Sequence, residues 1–474
     1  MSDSPQPPQV MLHLGLGSFH RAHQAVYQQA LHEHGDMRWV LAGGNIRNDA
    51  PELMAALAAA GGAYLLETVS PEGERRYQTI RSIRRVIAHD AALSGLVACG
   101  AEPATRIISF TVTEAGYYLD AQNRLDLAFA DLAADLAAAR KGHVHPTTPT
   151  IYGALTAMLR ARRAAGAGPL TLLNCDNLRH NGDRSRSGLL QFIELAGDAE
   201  LLAWVQAHTT SPNAMVDRIT PRPTPEVRAR VRAATGTDDP AALMGESFIQ
   251  WVIEDRFAAG RPAWERVGVQ MVDSVDAYEE AKIRLLNATH SCIAWAGTLA
   301  GLTYIHEGTH DPVIRRMAYD YVTDDTIPVL DTPEKPCPID LAAYRDVVLA
   351  RFGNPAIADT NQRVAMDGFS KIPGFIAPTI RERLARGESV ASVAMLPALF
   401  LAYLQRWHRG QIAYTYQDQA MDPAVAHAIC EAADPVAAFC ADRPLWGDLA
   451  GDARLVAAVR DASARVQHFI ESRL

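Results

Sequence analysis

An α/β fold is expected for the first 275 residues, with a largely α-helical domain from 276 to 474. Three observations predict it. Short apolar runs of strand length alternate with segments of helical spacing. The first run ends in a glycine turn that opens a helix. Beyond Tyr278, glycines and strand-like runs thin out, and Ala/Leu/Arg-rich helical patterns continue to the end.

In order, VMLHLGLG reads as a buried strand, and FHRAHQAVYQQALHEHG as a helix stopped by Gly35. RWVLAGGN is a second strand and NDAPELMAALAAA a helix. AYLLETV follows, with a polar turn at residues 71–73. TRIISFTVTEAGYY is a further strand, leading into an alanine-rich helix around LDLAFADLAADLAAAR, and PLTLLNCDN is a strand ending on polar residues. The alternation implies one mostly parallel, doubly wound sheet. In the second domain RRMAYDYV, SVAMLPALFLAYLQRW and DARLVAAVRDASARVQHFI read as amphipathic helices.

Of the 474 residues 48% are hydrophobic and 21% charged, with 45 Lys+Arg against 54 Asp+Glu, a formal net charge of −9. The composition is that of a globular protein and excludes a disordered chain or a collagen. Excess acid gives no general attraction for nucleic acid or anionic lipid. The six cysteines are scattered, without a CxxC pair, so neither a zinc knuckle nor a redox dithiol is suggested. The first ten residues lack a basic and an apolar region, and a soluble cytoplasmic protein is expected.

Gly15-Leu16-Gly17, directly after the first strand, has the context of a dinucleotide-binding turn: a tight bend, close backbone approach and a helix N-terminus. With Ser18 and Phe19 it makes the candidate cofactor turn. The third glycine of that fingerprint is replaced by His20, and Gly43-Gly44-Asn45 stands where a ribose-binding acid would end the second strand. Asn45, Asp49 and Glu67 are candidate partners for a ribose 2′-OH, whereas Arg47 would suit a 2′-phosphate. A tight turn without a ligand is the competing reading.

DAYEEAKIRLLNATHSCIAWAG carries Glu279, Lys282, Asn287 and His290. On an α-helix with Lys282 at zero, Glu279 lies near about 60°, His290 near about 80° and Asn287 near about 140°, with Arg284 opposite. A polar stripe of this kind is often solvated surface. Here it runs into apolar SCIAWAGTLAGL at a domain boundary, where clefts form. A lysine in such surroundings can act as a base, and amides can stabilise an alkoxide.

His306-Glu307-Gly308-Thr309-His310 matches the HExxH pattern of zinc peptidases, but Gly308 and Thr309 weaken a helix, and no third ligand follows. Helix-end polar residues are the preferred reading, and no metal is expected.

Taken together, HLGLGSFHRAHQA, SFTVTEAGYY, NCDNLRHNG, MVDRITP, FIQWVIEDRF, the KxxxxNxxH of Lys282 to His290, and DGFSKIP resemble the polyol-specific long-chain dehydrogenases, in order along most of the chain. The resemblance implies a Rossmann-type first domain, a helical second domain, and an active site between them. It implies metal-independent hydride transfer between a secondary alcohol and NAD, on a small polyol or ketose, by a monomer without nucleic-acid or membrane partners. Lys282 would be the general base, Asn177 and Asn287 the oxyanion pair, His290 the substrate-orienting residue and Glu279 the proton relay. Asp217, Arg363 and Lys371 would bind substrate. Thr113 and Glu114 match positions near the nicotinamide, and Glu67 is the candidate cofactor acid. Read without the resemblance, Asp217-Arg218 could be a buried ion pair, and Arg363 could pair with Asp367 at helical spacing. A mannitol 2-dehydrogenase or a uronate reductase of the same family, a zinc peptidase and a non-catalytic nucleotide sensor are the alternatives.

Overall fold

A computed structural model describes residues 7–120 and 122–473. They form two compact units, one comprising the chain up to Val69 with Arg75–Asp276, the other Ser70–Glu74 with Ala277–Leu474. Among the described residues no helix is long and apolar enough to cross a membrane.

The strands all lie in the first unit: β1 (Gln9–Leu14), β2 (Trp39–Gly44), β3 (Tyr64–Val69), β4 (Arg75–Ile80), β5 (Ile83–Val86), β6 (Thr105–Phe110), β7 (Leu170–Asn174), β8 (Thr209–Thr210), β9 (Ala214–Asp217), β10 (Leu243–Glu246), β11 (Gln250–Glu254) and β12 (Gln270–Val272). Six of them make one sheet in the order β5-β2-β1-β6-β7-β8, with every neighbouring pair parallel. Alternate residues on these strands enter two separate cores. Leu12, Leu14, Ile108, Phe110 and Leu172 belong to one, and Met11, Leu41, Ile107 and Leu173 to the other. A sheet buried on both faces needs apolar residues at both parities, which is why these strands read as continuous apolar runs.

The strand order reverses between β1 and β6. In a doubly wound sheet this is the switch point, where a crevice opens at the carboxyl ends of the strands.

The single-sheet expectation is corrected in one respect. AYLLETV does not join the large sheet. It pairs parallel with β10 and antiparallel with β4, across the turn at 70–74, in a three-stranded sheet of its own. A second small sheet, β12-β11-β9, carries Asp217 at the end of β9, opposite Gln250.

The second unit is helical. Its central helix, Ala288–Leu299, is buried along almost its whole length and packs against Asn361–Ala365 and Met395–His408. At Gly297 a Cβ would come within 2.6 Å of Asn361 Nδ2, so a larger residue would have to displace that amide from its bond to Leu302 O. The last helix, Ala453–Glu471, packs on Met395–His408.

Candidate active site

The first set of candidates sits at the switch point of the large sheet. Gly15 leaves β1 with φ +107°, and a Cβ there would lie 2.5 Å from the Thr111 carbonyl oxygen, so glycine is required. The turn is fixed by Gly15 N–H to Gly44 O (3.0 Å), Gly17 N–H to Gly15 O (2.7 Å) and Leu16 N–H to Asn45 Oδ1 (2.8 Å). Asn45 thus buttresses the turn from the end of β2. Nothing lies within 4 Å of where a Gly17 Cβ would stand, and the helix Ser18–Ala22 begins at the next residue. The space over Gly17, with the half-buried Ser18 and Phe19 beside it, fits the close approach of a pyrophosphate to backbone.

His20, in place of the third glycine, is fully buried with its ring stacked on that of His13, 3.5 Å between centroids. Burial pushes the His13 imidazole down to about 3 and holds His20 well below its ordinary value, so both are neutral. His13 meets Ser109 Oγ, Gly15 O and Thr111 Oγ1, linking β1, β6 and the turn.

After β6, Thr113 holds φ +67°, strained for a threonine, at the head of the short helical turn Glu114–Tyr117. The Glu114 side chain lies outside the described part of the chain. What fixes this loop is Asp176, which sequence reasoning missed. Its buried carboxylate accepts from Val112 N–H (2.9 Å), Thr113 N–H (3.1 Å) and the Tyr117 hydroxyl. Burial raises the Asp176 carboxyl despite those donors. Asn177, the next residue, is exposed just beyond β7. The loop carrying it is held by buried Asn181, whose Nδ2 donates to Asp176 O and Ala214 O. The only signal for Asp176 was its place in NCDN, beside Asn177.

Glu67 has a different setting from the one expected. It is fully buried in the β10-β3-β4 sheet, its oxygens bound by Arg75 and by Arg230 (2.9 Å). Arg47, the candidate for a 2′-phosphate, is held by Asp131 (3.0 Å), the Tyr118 hydroxyl (3.1 Å) and Pro149 O (3.2 Å). Asp217 is buried, but Arg218 gives its guanidinium to the carbonyls of Ala22 and Glu246, not to a carboxylate neighbour in sequence.

The second set lies in the helical unit. Glu279, 4% exposed, is on the helix Asp276–Ala281, and Lys282, 6% exposed, opens a π-helical segment, Lys282–Asn287. A π turn takes up about one residue more than an α turn, so side chains five apart share a face. Lys282 and half-buried Asn287 are therefore closer in azimuth than an α-helix would put them, which corrects the ~140° separation expected from α geometry. The carbonyls displaced by the widened turn are met by buried Tyr321, whose hydroxyl donates to Leu285 O (3.1 Å) and approaches Arg284 O (3.3 Å). On the opposite side Arg284 pairs with Glu280 (2.6 Å) and Glu382 (2.8 Å).

His290 follows on the central helix. Its ring stacks on Phe352 (4.2 Å), and Nε2 lies 3.1 Å from Asp359 Oδ2. Burial lowers the His290 imidazole although Asp359 works the other way. Arg363 pairs with the same Asp359, its Nε at 2.6 Å. The expected partner Asp367 is unavailable because the helix ends at Ala365. Asp367 instead adopts φ +57° and accepts from Gln419 N–H (3.2 Å). Lys371 Nζ donates to Val364 O (2.5 Å), and its turn is strapped by the Tyr416 hydroxyl on Gly368 N–H (3.1 Å) and Asp418 on Phe369 N–H (2.8 Å).

His306 and His310 lie one turn apart on the helix Ile305–His310. Glu307 accepts from Thr303 and Tyr304 N–H groups at 2.9 and 2.8 Å, capping its own helix. A carboxylate engaged in this way is not poised as the general base of a peptidase.

Residues 9–266 match the model of the mannitol dehydrogenase Rossmann domain, and residues 274–467 that of the mannitol dehydrogenase C-terminal domain. The chain belongs to the mannitol dehydrogenase family. Both candidate sets fall inside the matched segments. The chain is 62% identical, over 97% of its length and 96% of the relative's, to a D-arabinitol 4-dehydrogenase of Ralstonia nicotianae. It is 54% identical to a D-arabinitol 4-dehydrogenase of Klebsiella pneumoniae over 97% of this chain and 98% of that one. Among solved structures, the mannitol 2-dehydrogenase of Pseudomonas fluorescens, a ternary complex with NAD and D-mannitol, superposes with a TM-score of 0.81 at 34% identity, covering 98% of this chain and 94% of that one. A D-sorbitol dehydrogenase in substrate-free form gives 0.86 at 31% identity, with the same coverage. A mannitol dehydrogenase family member thus has its glycine turn at the switch point of one unit and its buried lysine at the head of a π segment in the other.

Proposed function

We infer that this mannitol dehydrogenase family member oxidises D-arabinitol to D-xylulose with NAD, without a metal. The observation that carries the substrate is the near full-length likeness to two D-arabinitol 4-dehydrogenases. LAGGNIRND, LLETVSPEG and FTVTEAGYYLD are the segments in which a resemblance to arabinitol enzymes is seen in the sequence itself. NAD rather than NADP is favoured because Arg47, the nearest candidate for a 2′-phosphate, is already neutralised by Asp131.

Bound NAD supplies the hydride acceptor. The chain's own task is the proton and the charge left behind. Lys282 in its neutral form takes the hydroxyl proton as the hydride leaves the carbinol carbon with its electron pair, and a C=O results. Amide N–H groups of Asn177 and Asn287 donate to the oxygen while it carries negative charge. His290 orients the substrate, and buried Glu279, one turn before the lysine, relays the proton outward. Asp217, Arg363 and Lys371 supply polar anchors for the remaining hydroxyls. The chain works as a monomer, and in the cytoplasm, where its six free cysteines would stay reduced.

The test of the base is Lys282→Ala. Loss of a positioned general base should lower kcat by about 100-fold or more. NAD binding, followed by tryptophan fluorescence, should stay within about threefold, because the lysine is absent from the glycine turn. Near-full turnover by the variant would refute the assignment.

A further inference from the structure

Among the described residues Asp359 is the one carboxylate that meets both His290 and Arg363: Oδ2 stands 3.1 Å from His290 Nε2, and Oδ1 accepts from Arg363 Nε at 2.6 Å. Its position is fixed by backbone, not by those partners. Ile305 N–H donates to Asp359 O (2.9 Å), Asn361 N–H donates to Thr303 O (2.9 Å), and Tyr304 and Thr360 form an antiparallel bridge. Asp359 is itself nearly buried, whereas the Arg363 side chain is 65% exposed.

Two consequences follow. A carboxylate 3.1 Å from Nε2 favours the ring proton on that nitrogen through its charge, although the pair is not aligned as a hydrogen bond, and this leaves Nδ1 as the acceptor for a hydroxyl donor. The same carboxylate cancels the charge of Arg363, a side chain otherwise shaped to clamp a carboxylate bidentately. Of Arg363, Lys371 and Asp359, the balance is one positive charge, where without Asp359 it would be two.

We infer that Asp359 is a specificity-determining residue: by orienting His290 and neutralising Arg363 at once, it sets the site for an uncharged polyol and against a sugar acid. The inference rests on the polyol dehydrogenase reading above. It also gives a physical reason for preferring a polyol to a uronate, since the basic pair is not free to act as a carboxylate clamp.

The test compares wild type, Asp359→Asn and the double variant Asp359→Asn/Arg363→Ala, each checked for folding by circular dichroism. D-Arabinitol turnover is measured with D-arabinonate, the acid of the same carbon chain, as inhibitor, and calorimetry reads arabinonate binding to the NADH-loaded protein. Asp359→Asn should raise KM for D-arabinitol about tenfold with kcat changed less, and tighten arabinonate binding about tenfold, the effect of one freed charge-assisted hydrogen-bond pair. The double variant should lose the gain for arabinonate. Unchanged arabinonate affinity in a folded Asp359→Asn, or equal loss in kcat and in affinity for both ligands, would overturn the proposal. If calorimetry showed the expected gain but no variant or wild type oxidised a polyol, the dehydrogenase reading would fall while the charge argument stood.

Discussion

His13 and His20 lie stacked and buried beneath the glycine turn, and their titration ties local packing to stability. Each is neutral in the fold, with its pKa depressed by burial, whereas in the unfolded chain each titrates near 6.5. Above that value neither group distinguishes the two states. Below it the unfolded chain binds protons that the fold does not, so stability falls as pH falls. His13 contributes this loss from 6.5 down to its folded value of about 3, at roughly 1.4 kcal/mol per pH unit. Urea denaturation of wild type and His13→Asn between about pH 8 and 5 checks the sign: the variant's stability should fall less steeply below about 6.5. Parallel slopes would contradict it. At this scale the sequence was informative where a residue type has a narrow use. A lysine, an asparagine and a histidine along one helix stood out, and Gly15 is required by its φ and by Thr111. Glu67 was hard to place because an acid within a strand looks the same in sequence whether it faces a ribose or two arginines. Its partners Arg75 and Arg230 come from β4 and from residues more than 160 positions away.

The loops and helix turns that carry the candidate residues are shaped by side chains lying elsewhere in the sequence. The Thr111–Tyr117 loop holds its strained Thr113 because Asp176, after β7, accepts two of its backbone N–H groups. Asp176→Ala would leave those donors without their acceptor, at a cost of about 1–3 kcal/mol each if both stay buried. Thermal denaturation should show the loss. NAD affinity should weaken by about tenfold as the loop relaxes, the equivalent of about 1.4 kcal/mol. An unchanged melting temperature and unchanged affinity would show that the loop needs no such support. The π segment at Lys282–Asn287 has the same character. Helical periodicity placed Lys282, Asn287 and His290 on one continuous helical stretch, but not the widened turn, because Tyr321, which satisfies its carbonyls, comes 34 or more residues later. The strap over the turn of Lys371 is likewise formed by Tyr416 and Asp418, more than 40 residues later.

For the whole molecule, alternating runs of period 2 and period 3.6 made the large parallel sheet legible, because a strand buried on both faces must be apolar throughout. The two small sheets were not legible: β3 and β10 are about 180 residues apart and β9 pairs with β11, connections that periodicity does not encode. The glycine turn at the switch point, the buried lysine in the helical unit and the family to which both units belong support one account of the protein as a polyol dehydrogenase. The most direct test is the initial rate of NAD⁺ reduction by purified protein, at mildly alkaline pH, on D-arabinitol, D-mannitol, D-sorbitol, xylitol and L-arabinitol, with and without EDTA. The account predicts turnover that EDTA does not touch, with the highest kcat/KM on D-arabinitol. No reduction on any polyol with NAD⁺, or activity abolished by EDTA, would contradict it.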